Sequence, residues 1–133
     1  MRKKVLFLAT CFTFSMLATP AKANDDLIRL ATSLCDYAKA DDRTSMRRKL
    51  KTSGMNLRSL YPAISCGSKG SLLRTATHNN AFEAAKFITS RIGKKNLKKP
   101  ENDGKNILEW TQSLVSSGDA GKQPFVDLFQ SKM

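Results

Sequence analysis

The chain has 133 residues, 41% of them hydrophobic and 26% charged. This is the balance of one small globular domain and excludes a disordered tail, a collagen-like repeat and a pair of substantial domains. Lys and Arg number 23 against 11 Asp and Glu, a formal net charge of +12, so an anionic neighbour is expected.

The first residues read as a secretory signal. Arg2, Lys3 and Lys4 make a positive start, Val5 to Leu17 is an uncharged apolar run, and Ala21-Lys22-Ala23 presents small residues where a signal peptidase cleaves. The run is shorter than the roughly 20 residues of a membrane-spanning helix, which disfavours the alternative of an uncleaved anchor. Cleavage of residues 1–23 is therefore expected, leaving one mature domain over 24–133 in the periplasm or otherwise exported. It removes Arg2, Lys3, Lys4 and Lys22 but no acid, so the basic bias survives processing. It also removes Cys11 and leaves Cys35 and Cys66. In an oxidising compartment such a pair reads as one disulfide, the alternative being two free or metal-binding thiols. A dithiol redox enzyme is not indicated, because no Cys-x-x-Cys occurs.

In the mature chain Leu27, Leu30, Ala31, Leu34, Cys35 and Ala38 recur at helical spacing, behind Asn24, Asp25 and Asp26, whose charge suits a helix start. Asp41-Asp42 opens a second, basic helix in which Met46, Lys49 and Leu50 share a side, and Gly54 suits its left-handed stop. Asn56 can cap a shorter helix carrying Leu57, Leu60, Tyr61 and Ile64, limited or bent by Pro62 and ending near Cys66-Gly67. After Gly70, Leu72, Leu73 and Ala76 form a short apolar face, and Thr77-His78-Asn79-Asn80 a polar break. Phe82, Ala85, Phe87, Ile88 and Ile92 then make a longer helix stopped at Gly93.

Lys94 to Lys105 reads as an exposed connection with a reversal at Asp103-Gly104. Ile107, Leu108, Trp110, Thr111, Leu114 and Val115 form the next helix, Gly118 and Gly121 break it, and Pro124, Phe125, Leu128 and Phe129 fit a last one. No alternating strand pattern occurs. The expected fold is all-α, three stacked helical hairpins with one disulfide, and the aromatic residues Phe82, Phe87, Trp110, Phe125 and Phe129 are expected in its core.

Two resemblances follow from these residues. Ser71-Leu72-Leu73-Arg74-x-Ala76 aligns with Asn106-Ile107-Leu108-Glu109-x-Thr111 at an offset of 35 residues, close to the ankyrin period of about 33. Asp103-Gly104-Lys105-Asn106-Ile107-Leu108 likewise resembles the ankyrin turn and helix start. The pattern departs from the family in lacking Thr-Pro and in carrying Arg74 and Glu109 where ankyrin repeats place His, so the resemblance implies ankyrin-like hairpins and not a standard ankyrin domain. The mature chain also resembles a family of small exported bacterial proteins of unknown function with a Leu-Cys helix, a Cys-Asn-Gly segment and a Leu-Leu-x-x-Ala helix. Here these are Leu34-Cys35, Cys66-Gly67-Ser68, without the Asn, and Leu72 to Ala76. That resemblance implies an exported helical domain and transfers no catalytic residue.

Chemistry is sparse. His78 is the sole His, falls in an expected turn and has no nucleophile arranged beside it in sequence, so no enzyme is indicated. Asp25-Asp26 and Asp41-Asp42 read as helix-start charges. No metal site and no cofactor are expected, for want of ligand spacing or a phosphate-binding glycine loop.

What stands out is basic clustering: Arg43, Arg47, Arg48, Lys49 and Lys51 on the second helix, and Lys94, Lys95, Lys98 and Lys99 after the fifth, with Lys105 beyond. Solvated helix faces would explain them. If the hairpins bring the clusters to one side, they form an anion-binding surface. The expected function is a non-enzymatic exported binding or scaffold protein with an envelope protein partner. The alternative is a peripheral binder of anionic membrane lipid or lipopolysaccharide phosphate. Nucleic acid is disfavoured by the exported location and the lack of aromatics among these lysines.

Overall fold

The computed structural model describes residues 21–133. The signal segment read from residues 1–23 lies outside them except for its last three residues, whose backbone begins the first helix. Among the described residues all regular structure is helical: α1 (Ala21–Lys39), α2 (Arg43–Ser53), α3 (Leu57–Leu60), α4 (Leu72–His78), α5 (Phe82–Lys98), α6 (Ile107–Ser116) and α7 (Gln123–Lys132). Short 3-10 turns lie at Tyr61–Ala63, Gly67–Lys69 and Ala120–Lys122.

The helix starts follow from side chains that satisfy amides no helical carbonyl can reach. Asp42 accepts from the Ser45 amide at 2.9 Å, Asn56 from Arg58 at 2.9 Å, Ser71 from Arg74 at 3.2 Å and Asn106 from Glu109 at 2.9 Å. At the far end of α2, Gly54 takes the left-handed conformation (φ 67°) and its amide bonds Leu50 and Lys51 carbonyls, as its place in the sequence suggests.

Helix pairs α1–α2, α4–α5 and α6–α7 pack as three hairpins. The hairpins stack in two rows: α4 touches both α1 and α6, and α5 touches both α2 and α7. The core runs through the stack, with Leu34, Ala38, Met46, Leu72, Leu73, Ala76, Ile88, Ile92 and Phe129 all sealed from solvent. The middle helix α4 is buried continuously from Leu72 to Thr77, as a helix with neighbours on both sides must be. Phe87, Phe125 and Phe129 are buried in this core, and Phe82 and Trp110 lie at its edge.

Two devices repeat along the stack. The turns inside the first and second hairpins each hold a left-handed residue, Asp41 (φ 55°) and Asn80 (φ 56°), and each reaches forward to the next hairpin. Asp41 Oδ1 accepts from the Ala84 amide at 2.8 Å, capping α5 from another hairpin, and Asn80 Oδ1 accepts from buried Lys122 Nζ at 2.6 Å before α7.

The connections between hairpins also match. The Cys66 amide donates to Gly70 O at 2.7 Å and the Glu101 amide to Lys105 O at 3.0 Å, closing similar turns. Each turn is tied back to the first helix of the preceding hairpin, the one by the Cys35–Cys66 disulfide and the other by Arg74 on Glu101 and Asp103.

Two local expectations are corrected. The stretch from Lys94 is not wholly an exposed connection: α5 kinks at Gly93 (φ 79°, ψ 164°) and continues to Lys98, because Leu97, the lone apolar residue among these lysines, is buried. The third helix stops at Leu60 and gives way to the 3-10 turn containing Pro62, short of Cys66. In α6, Ile107 is buried and Leu108 half-buried.

Candidate functional site

Alternation between buried and exposed positions on α2 sends Met46 and Leu50 into the core and leaves Arg47 and Lys51, one turn apart, at the surface. Facing them across a groove are Arg58 of α3 and Phe87, Ser90 and Arg91 of α5, with Gly54, Met55, Asn56 and Leu57 at its end. This groove has a volume of about 700 Å³. A second cleft, of about 560 Å³, adjoins it at Arg58 and is lined further by Ser59, Pro62, Ile92, Gly93, Lys94, Lys95, Asn96 and Lys99. No carboxylate lines either one.

Arg58 is the joint between the two, and its position has a clear cause. A side chain at Gly93 would bring its Cβ to 3.0 Å from Arg58 Nε, so the guanidinium occupies the space left by the bare backbone at the α5 kink. Asn96 Nδ2 fixes the α3 side by donating to Arg58 O at 3.0 Å, while also donating to Ile92 O at 2.8 Å. The Arg91 guanidinium lies 5.1 Å from the centre of the Phe87 ring, a cation–π contact that directs it along the groove.

Of the ten cations singled out in sequence, the structure brings Arg47, Lys51, Lys94, Lys95 and Lys99 to this surface. Arg43, Arg48, Lys49, Lys98 and Lys105 do not line it. Arg43 instead makes an exposed 3.7 Å pair with Glu83 at the start of α5, and Arg48 lies near the Asp42 cap, whose carboxyl is held below its ordinary range first by its hydrogen bonds to Ser45 and further by Arg48. Arg58 and Arg91 were missed by reading charge clusters, since Arg58 stands alone in its segment and Arg91 is set off from Lys94 and Lys95 by Ile92 and Gly93. The ion pairs among the described residues involve Arg43, Arg74 and Lys122, none of them a groove cation.

A second polar centre also escaped the sequence reading. Arg74, 8% exposed, donates from Nη1 and Nη2 to the two Asp103 oxygens at 2.8 Å each and from Nη2 to Lys105 O at 2.9 Å. Its Nε lies 2.6 Å from Glu101 Oε2, and its plane lies 4.9 Å from the centre of the Trp110 ring. Glu101 in turn accepts from the Ser71 amide at 3.1 Å and the Ser71 hydroxyl at 3.0 Å.

Burial would lower the Arg74 pKa, but the Asp103 hydrogen bonds and the charges of Glu101 and Asp103 outweigh it and raise it; the same Arg74 hydrogen bonds hold the Asp103 carboxyl far below its usual range. Beside this centre a cleft of about 260 Å³ is lined by Tyr61, Ser71, Lys99 and Glu101. The Tyr61 hydroxyl is held neutral to unusually high pH, chiefly by burial. Every carboxylate oxygen of this centre is engaged by protein donors, and the contacts tie the connection before the third hairpin to α4 of the second.

His78 proves to be the last residue of α4, exposed, with its backbone carbonyl accepting from Lys122 Nζ at 3.3 Å. Among the described residues no group of three His, Cys, Asp or Glu is placed to hold a metal ion, and no helix is long and apolar enough to cross a membrane.

Residues 34–99 match the model of a family described as a protein of unknown function (DUF3718). The matched segment contains both joined cysteines, α2 to α5 and every cation of the groove. No curated protein and no solved structure matches the chain.

Proposed function

We propose that this chain, which over residues 34–99 matches the model of a family of unknown function, is an exported, non-enzymatic binding protein that attaches to the anionic surface of the cell envelope. The observation that carries this reading is the pair of adjoining clefts in which α2, α3, α5 and Lys99 just past its end present seven Lys and Arg side chains and no acid. Grouped cations sum their potentials over about a Debye length, roughly 8 Å in physiological salt, and so attract arrays of phosphates better than isolated ones do. Export is supported by the pattern of residues 1–23 and by the joined Cys35 and Cys66. Mass spectrometry of material recovered from the envelope should find a chain beginning at Asn24.

The test of function is co-sedimentation of the mature protein with vesicles containing phosphatidylglycerol. Binding is expected at low salt and should fade as ionic strength rises. Each cation near an anionic lipid surface contributes about 1 kcal/mol, so changing Arg47, Lys51, Arg58 and Arg91 together to Gln should weaken binding by several hundredfold. Changing Arg48 and Lys49 to Gln should do much less. Binding that ignores both salt and the fourfold substitution overturns the proposal.

A protein partner is the second reading, favoured by the half-exposed Leu108, Leu114 and Val115 along α6. Capture of such a partner would be weakened by Leu114→Glu and indifferent to the fourfold substitution.

A further inference from the structure

Among the described residues two large apolar side chains stand well exposed, Ile28 at 62% and Met55 at 43%. Ile28 lies on α1, away from the groove, whereas Met55 lies within it, on the Gly54-Met55-Asn56 turn that joins α2 to α3. Nothing approaches within 4 Å of the position a Gly54 Cβ would occupy, so the space beside Gly54 is open.

Part of the turn's backbone is met internally: the Gly54 amide bonds Leu50 and Lys51 carbonyls and the Met55 amide donates to Ser53 Oγ at 3.3 Å, while Asn56 caps α3 through its side chain. The other polar groups of the turn can stay hydrated at headgroup level, so the Met55 side chain is the part that has to leave water. Around the tip stand Arg47, Lys51, Arg58 and Arg91, whose long stems let the charged heads remain at phosphate level while the tip goes deeper. The cations are spread along an open groove and do not enclose a point, which suits a sheet of headgroups better than one bound phosphate.

We infer that the α2–α3 turn is a membrane-insertion tip, placing Met55 below the phosphates of an anionic phospholipid bilayer while Arg47, Lys51, Arg58 and Arg91 hold those phosphates. This rests on the anionic-surface reading and specifies the lipid bilayer as the partner and the turn as its point of entry.

The experiment uses the mature, disulfide-intact protein carrying Met55→Cys labelled with an environment-sensitive nitrobenzoxadiazole dye, and a second protein labelled through Ser117→Cys at the end of α6. On adding phosphatidylglycerol vesicles, emission from position 55 should shift to the blue and rise several-fold, and emission from position 117 should not. In unlabelled protein, the uncharged but polar Met55→Gln should weaken vesicle binding about tenfold, whereas the apolar Met55→Leu should retain it. Salt-sensitive vesicle binding without a blue shift at position 55, or with full affinity in Met55→Gln, overturns insertion and leaves the anionic-surface reading standing. Absence of vesicle binding overturns both.

Discussion

At the scale of single residues the largest surprise is Arg74. In the sequence it is only the position where an ankyrin-type pattern would carry His; in the fold it is a buried guanidinium whose donors are spent on Asp103, Glu101 and the Lys105 carbonyl. Its partners lie 27 to 31 positions away along the chain, a separation over which no local pattern connects them. Truncation leaves Glu101 without its cation and removes the face on which Trp110 rests, so Arg74→Ala should cost roughly 2 kcal/mol, the scale of a charged hydrogen bond lost from a buried site, visible as a lowered melting temperature. Asp103 gives a pH test. Its carboxyl titrates below its ordinary value of 3.8 in the folded protein, so its contribution is complete above that value and is lost as pH falls toward the depressed one. Melting temperature should therefore drop between about pH 4 and pH 2, and Asp103→Asn should be less stable at neutral pH and flatter across that interval.

Among the elements, α5 shows both the reach and the limit of sequence reading. Apolar spacing placed its first turns and Gly93 marked its end, yet the helix resumes after the glycine because Leu97 finds a place in the core; one apolar residue among lysines carries no periodicity to read. The groove was half legible for a related reason. Arg47, Lys51, Lys94, Lys95 and Lys99 belong to visible clusters, whereas Arg58 sits in a four-residue helix and Arg91 in a mixed stretch, and only the packing of α3 on α5 unites them.

The kink is what makes room. Gly93 holds φ 79° and ψ 164°, a region other residues enter at a cost of about 1–3 kcal/mol, and a Cβ there would also meet Arg58. Gly93→Ala is therefore expected to lower the melting temperature and, by displacing Arg58, to weaken vesicle binding. Gly104→Ala, also at positive φ but facing open space, should be strained without altering vesicle affinity.

For the molecule as a whole, the three hairpins and the pairing of Cys35 with Cys66 were legible, the first from helical spacing and the second from the two cysteines that the expected removal of residues 1–23 would leave. What was not legible is that the disulfide and the Arg74 centre occupy matching places, each tying the turn before one hairpin to the first helix of the hairpin behind it. Closing a loop of 31 positions should be worth about 3.7 kcal/mol in the chain-entropy model. Mild reduction should accordingly lower the melting temperature without abolishing the helical circular-dichroism signal at 25 °C; an unchanged melt in reductant would show that the bond adds nothing to this stack.

The covalent tie also decides how the chain can lengthen. α2 and α3, with Arg47, Lys51, Met55 and Arg58, lie inside the loop that Cys35 and Cys66 close, and a pull on the two termini passes across the sulfur bridge without reaching them. Roughly 100 Å of contour length stays hidden until the bridge is cut. Oxidised molecules stretched singly in optical tweezers should fall short of reduced ones by about that distance.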